Sequence, residues 1–101
     1  MNMTVNFQYV DVDVSDTLNA FAEEKLDKLF ARYEFLISST VRFKHNSNSH
    51  AKGRICDIEL SLPGPRIFAT SDETQYEVAV RETIKDLERQ LEKRKETYKT
   101  Y

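Results

Sequence analysis

The chain is 101 residues long, 40% hydrophobic and 32% charged, with two Gly, two Pro and a formal net charge of −2. That length supplies one core rather than two, and that composition excludes a linker, a fibre and a disordered tail. No apolar run approaches the ~20 residues that span a bilayer, and residues 1–9 alternate in polarity instead of forming the apolar core of a signal peptide. The single cysteine, Cys56, has no partner for an internal disulfide, which fits a reducing cytoplasm.

The net charge hides a segregated distribution. Residues 1–24 carry five acids and no base, and residues 25–54 carry seven bases and two acids. Residues 55–80 carry five acids and Arg66, and residues 81–101 carry seven bases and five acids. The base-rich stretches hold helical patterns, so a basic face on an acidic protein is available.

In chain order, Met3, Val5, Phe7 and Tyr9 alternate with Thr4, Asn6 and Gln8, the period of a strand with one buried face. Asp11 and Asp13 lead to Ser15, an N-cap residue, with Asp16 in the first turn where the helix dipole favours an anion. The helix predicted over residues 16–33 places Leu18, Phe21, Ala22, Leu26, Leu29, Phe30 and Tyr33 on a broad apolar stripe. Lys25, Lys28 and Arg32 gather on one edge of that stripe, with Glu23 and Asp27 on the other side. Such a rim is equally the mark of a charged recognition edge and of side chains that snorkel to water.

A second strand is predicted over residues 37–45, with Val41 and Phe43 inward and Thr40, Arg42 and Lys44 outward; a polar loop follows over 46–53. Cys56, Ile58, Leu60 and Leu62 alternate with Asp57, Glu59 and Ser61 in a third strand. Pro63-Gly64-Pro65 makes a tight turn into a fourth over residues 66–71. Asp72 or Thr74 is expected to cap a last helix over residues 75–98. Its apolar stripe is Val80, Ile84, Leu87 and Leu91, and a row of cations at Arg81, Lys85, Arg89 and Lys93 advances in steps of four.

The order is thus β-α-β-β-β-α. A right-handed crossover makes the first two strands parallel, and an antiparallel meander completes the sheet. The expected fold class is α+β: a two-layer sandwich in which a four-stranded mixed sheet carries both helices on one face. The other sheet face is left open, with Asn6, Gln8, Arg42, Lys44, Asp57 and Glu59 on it.

Catalytic constellations are missing. His45 and His50 lack a cysteine or carboxylate cluster to complete a metal site, and Cys56 falls on an inward strand position as a small core residue. Two glycines are too few for a phosphate-cradling or dinucleotide loop. The expectation is a protein that is not an enzyme, with no metal, cofactor or small-molecule substrate. What remains is the pair of cationic edges, with Arg94, Lys95 and Lys99 extending the second. Packed side by side, the two helices would make the groove between them a strip of cations matched to nucleic-acid phosphates. The interleaved acids Glu82, Asp86, Glu88, Glu92 and Glu96 support a second account, a solvated face laced with ion pairs such as Glu82–Lys85 and Asp86–Arg89.

The segment Leu87-Glu88-Arg89-Gln90-Leu91-Glu92-Lys93-Arg94-Lys95, together with Lys25-Leu26, Lys28-Leu29, the Pro-Gly hairpin and the topology, resembles the ribosome hibernation promoting factors. That family includes ribosome-associated inhibitor A and is also called the sigma-54 modulation protein family. The resemblance implies a cytoplasmic, non-enzymatic factor that binds the small ribosomal subunit under stress or in stationary phase and blocks translation from the mRNA and tRNA channel. It implies contacts to 16S rRNA phosphates from Lys25, Lys28, Arg32, Arg81, Lys85, Arg89, Lys93 and Lys95, with a hydrogen bond from Gln90 to sugar or base. It further implies a single ribosome-binding domain over residues 1–101 of the short form, without the C-terminal dimerisation domain of longer members, and a monomer off the ribosome. The chain departs from familiar members at Gln75-Tyr76-Glu77-Val78-Ala79, at Asp86 where a lysine is common, and at Arg81 where an acid is common. Two alternatives stand beside it. A double-stranded RNA-binding module would need bases where Asp72, Glu73 and Glu77 open the last helix, and a protein-interaction adaptor would use the open sheet face.

Overall fold

The computed structural model describes residues 4–48 and 52–99, so Met3 and His50, singled out above, lie outside the described residues. The elements are β1 (Thr4–Val10), α1 (Asp16–Arg32), β2 (Ser38–His45), β3 (Arg54–Ser61), β4 (Ile67–Glu73) and α2 (Tyr76–Lys99). The sheet runs β1-β2-β3-β4, parallel between β1 and β2 and antiparallel across the other two seams. The expected α+β architecture is the observed one.

Register explains why one sheet face carries the core. Phe7, Val41, Ile58 and Ala69 lie side by side across the four strands, as do Tyr9, Phe43, Cys56 and Ser71. Because side chains alternate along each strand, the neighbouring row of Gln8, Arg42, Asp57 and Thr70 points to the opposite face. Leu18, Ala22, Leu26 and Leu29 of α1 and Val80, Ile84, Leu87 and Leu91 of α2 cover the apolar rows. Each fully buried leucine or isoleucine there contributes about 1.5–3 kcal/mol of hydrophobic stabilisation. Thr83 is the buried polar exception on α2, and its hydroxyl donates to the Ala79 carbonyl at 2.8 Å, within its own helix.

Ser15 caps α1 as expected: its backbone is extended and its hydroxyl accepts from the Leu18 amide at 3.2 Å. The helix stops at Arg32, one residue before the expected end, with Tyr33 as a non-helical C-cap whose amide still reaches the Leu29 carbonyl at 2.8 Å. At α2 the expected cap is corrected. β4 continues to Glu73, and Asp72 Oδ1 accepts from the Gly53 amide at 2.7 Å, so this side chain ties down the start of β3 instead. The first turn of α2 is closed by the Gln75 carbonyl, 3.0 Å from the Ala79 amide.

The far end of α2 is clasped to the hairpin between β3 and β4. Arg94 Nη1 donates to the Pro63 carbonyl at 3.1 Å and the Tyr98 hydroxyl donates to the same oxygen at 2.5 Å. Gly64 adopts φ +91°, and a Cβ there would stand 3.3 Å from Arg94 Nη1, so glycine serves both the turn and the close approach.

Candidate nucleic-acid interface

α1 and α2 lie side by side on the sheet, and between them opens a shallow cleft of about 300 Å³ lined by Lys25, Lys28, Leu29, Arg32, Ile84 and Glu88. Its apolar lining is Leu29 and Ile84, both core residues, so the cleft is floored by packing and rimmed by charge. Phe21, half-buried in the first half of α1, organises two of the cations. The Lys25 ammonium sits 5.2 Å from the centre of its ring and the Arg81 guanidinium, from α2, 5.6 Å. Among the described residues neither Lys25, Lys28 nor Arg81 forms a salt bridge.

Arg32 behaves differently. Its Nη1 is 3.6 Å from Glu88 Oε2 and its Nη2 is 3.6 Å from Glu92 Oε2, while its guanidinium lies 5.3 Å from the centre of the Tyr33 ring. The Tyr33 hydroxyl donates to the same Glu92 carboxylate. Burial first, and then that hydrogen bond to an anion, push the Tyr33 phenol up to about 12, so it is a neutral donor at ordinary pH.

The expectation of an unbroken cationic groove therefore needs correcting. The α1 edge is basic as expected, but the facing edge of α2 presents Arg81 at one end and Glu88 and Glu92 at the other. The cause is helix geometry. Steps of four gain about 40° per step on a 3.6-residue turn, so Arg81, Lys85, Arg89 and Lys93 wind away from the cleft across the outer surface of α2. Steps of seven and then four nearly cancel, and they hold Arg81, Glu88 and Glu92 on the α1 side; Lys95, seven beyond Glu88, returns to it. On the outer surface Lys85 pairs with Glu82 at 3.4 Å and Arg89 with Asp86 at 3.8 Å, the local pairs expected of a solvated face. Lys93 is exposed beyond them. Gln90 faces β4, where its amide nitrogen donates to the Phe68 carbonyl at 3.0 Å, away from the cleft cations.

Of the residues singled out from the sequence, the structure places Lys25, Lys28, Arg32 and Arg81 along the joint between α1 and α2, and it adds Phe21 as the platform between two of them. The spacing of four from Phe21 to Lys25 was the available signal. The open sheet face contrasts with the cleft because its cations are bonded within the face, two of them to carboxylates and Arg42 to a neutral amide. Arg42 Nε donates to Gln8 Oε1 at 2.9 Å, Lys44 Nζ lies 2.6 Å from Asp57 Oδ2, and Arg66 Nη1 lies 3.1 Å from Glu59 Oε2.

The family model described as sigma 54 modulation protein / S30EA ribosomal protein matches residues 5–99, nearly the whole chain. The chain belongs to that family. A similar solved structure is that of a ribosomal subunit interface protein from Coxiella burnetii, 27% identical, covering 92% of this chain and 98% of that one with a TM-score of 0.82. The Protein Y N-terminal domain from Thermus thermophilus is 20% identical over 92% of this chain and 98% of its own, with a TM-score of 0.75, and shows the shared fold. The comparison with curated proteins returns no match. This sigma 54 modulation / S30EA family member contains, among its described residues, no helix long and apolar enough to cross a membrane.

Proposed function

We propose that this protein associates with the ribosome, binding the small subunit through 16S rRNA phosphates and silencing translation by occupying the mRNA and tRNA channel during stress or stationary phase. The observation that carries the reading is the cationic α1 edge, Lys25, Lys28 and Arg32, joined by Arg81 across the cleft, in a chain whose family match spans residues 5–99. Likeness to the ribosomal subunit interface protein from Coxiella burnetii supports it further. Action by occlusion requires no catalytic step: the protein is a plug held by charge and shape. Lys25 and Arg81 are held against the Phe21 ring and Lys28 lines the cleft beside them; among the described residues none of the three pairs with a carboxylate, so phosphates can take up their donors with release of condensed counterions. Contacts of this type fix position on a folded RNA and carry little sequence information. Lys85, Arg89, Lys93 and Lys95 extend the surface over which backbone phosphates can be met.

Co-sedimentation with purified small subunits across a salt series tests the reading. The parent is expected to pellet at low salt and to be released as salt rises, while Lys25→Glu/Lys28→Glu/Arg81→Glu stays in the supernatant. A milder Lys28→Gln variant should flatten the dependence of log affinity on log salt by roughly one unit for the lost phosphate contact. The parent should also inhibit translation in vitro. A parent that pellets at no salt concentration refutes the assignment.

A further inference from the structure

Among the described residues Arg32 is the one cleft cation paired with carboxylates, and the manner of the pairing is informative. The two carboxylates approach different guanidinium nitrogens, Glu88 at Nη1 and Glu92 at Nη2, both at 3.6 Å. Two anionic oxygens thus face the guanidinium edge at which a phosphate would pair, at ion-pair rather than hydrogen-bond distance. Glu92 is not a wandering surface side chain, because the buried Tyr33 hydroxyl donates to it and fixes where its oxygens lie. Tyr33 also presents its ring to Arg32, so one buried aromatic positions both members of the pair. Yet the pair is open to solvent: the Arg32, Glu88 and Glu92 side chains are 58%, 41% and 46% exposed. Exposed pairs of this kind are weak and exchangeable. Among the described residues Lys25, Lys28 and Arg81, along the same cleft, have no carboxylate partner.

We propose that Glu88 and Glu92 are selectivity residues of the RNA-binding cleft, acting as internal phosphate surrogates that hold Arg32 back from RNA in general. A generic duplex laid on the cleft meets three uncommitted cations and two carboxylates that repel its backbone. A folded RNA surface that delivers a phosphate to the position of the carboxylates displaces them, and Arg32 changes partner. Discrimination then comes from a built-in repulsion as much as from attraction. This rests on the ribosome-binding reading above and adds to it which residues set the preference for a shaped RNA over any polyanion.

The test uses the full chain and two ligands, purified small subunits and a generic RNA duplex, each titrated across a salt series. In Glu88→Gln/Glu92→Gln the new amide oxygen at position 92 still accepts from Tyr33, so the positioning contact survives. This variant is expected to bind the duplex roughly two- to tenfold tighter, with a salt dependence steeper by about one unit as Arg32 joins the contacts. Its affinity for subunits should rise less, so the ratio of the two affinities falls. Asp11→Asn/Asp13→Asn, with the same change in net charge on the connection before α1, should leave that ratio at the parent value. Adding Arg32→Gln to the double variant should abolish the gain. A double variant with the parent's duplex affinity and salt slope overturns the proposal, as does an equal gain in the Asp11/Asp13 control or a gain that persists without Arg32. Any of these, with the parent still pelleting with subunits, leaves the ribosome reading standing; a parent that fails to pellet removes both.

Discussion

Cys56 shows how burial decides the chemistry of a single side chain. It lies on the helix-facing side of β3, fully buried, with the Thr83 hydroxyl of α2 against its own carbonyl at 3.2 Å. Burial above all, and the nearby Asp57 carboxylate in addition, push the thiol up to about 12. A thiol protonated at all ordinary pH values is neither a nucleophile nor a metal ligand. The folded value lies above the unfolded one, so the thiol's stabilising contribution is complete below about pH 9 and is lost as pH rises through about 12. Iodoacetamide at pH 8 is therefore expected to leave Cys56 unmodified in the native protein and to alkylate it at the ordinary rate in denaturant. Mass spectrometry of the two samples reads the difference, and rapid alkylation under native conditions would place the thiol outside the core.

At the scale of elements, the joint between α1 and α2 depends on Tyr33. This residue ends α1, packs its ring into the core and donates its hydroxyl to Glu92 on α2. Its pKa is raised from 10.0 to about 12, so the neutral phenol is favoured by folding and its contribution is complete below pH 10. Between pH 10 and 12 the parent should lose about 2–3 kcal/mol of stability at this group, from a shift of about two units at about 1.4 kcal/mol each. Tyr33→Phe keeps the ring and deletes the donor, at a cost of about 1–3 kcal/mol at neutral pH, and it should flatten the alkaline fall. Denaturant melts at pH 8 and pH 11 check this, and parallel pH profiles for parent and variant would contradict it. The elements themselves were legible in the sequence because burial imposes a period. The alternation of Val5, Phe7 and Tyr9 and the four-three-four stripe of α2 have few other physical causes. The α2 cap was not legible, since Asp72 is claimed by an amide 19 residues away that no local pattern reveals. The cleft was half legible. Lys25, Lys28 and Arg32 share a helix face at any small error in twist, whereas a row spaced by four rotates out of a groove over three turns, and the carboxylates that replace it sit seven and eleven residues after Arg81.

For the whole molecule, a net charge of −2 and a pI near 5.7 mean that no long-range field draws the chain to RNA. The proposed RNA binding would therefore be local, within the roughly 8–10 Å over which charge acts at physiological salt, and the two faces of the fold differ in how their charges are paired. On the open sheet, Lys44 and Arg66 pair with Asp57 and Glu59, and the Arg42 guanidinium is held by the neutral Gln8 amide, so most of the charge on that face is compensated. Across the core, Lys25 and Lys28 line the cleft and Arg81 stands over the Phe21 ring at its end, none of them with a carboxylate partner among the described residues. Arg42→Gln/Arg66→Gln removes two positive charges from the molecule, as Lys25→Gln/Lys28→Gln does, and both variants have a net charge lower than the parent by the same amount. If position rather than total charge governs binding, the sheet variant should pellet with small subunits at the parent's affinity and salt slope. The cleft variant should then lose roughly tenfold or more at moderate salt, with a slope lower by about two units. Equal loss in both would mean that total charge governs binding. A loss confined to the sheet variant, and insensitive to salt, would identify the open face as the binding surface, as a protein-interaction adaptor requires. The pairing of charges on one face and their release on the other is what makes the first outcome the expected one.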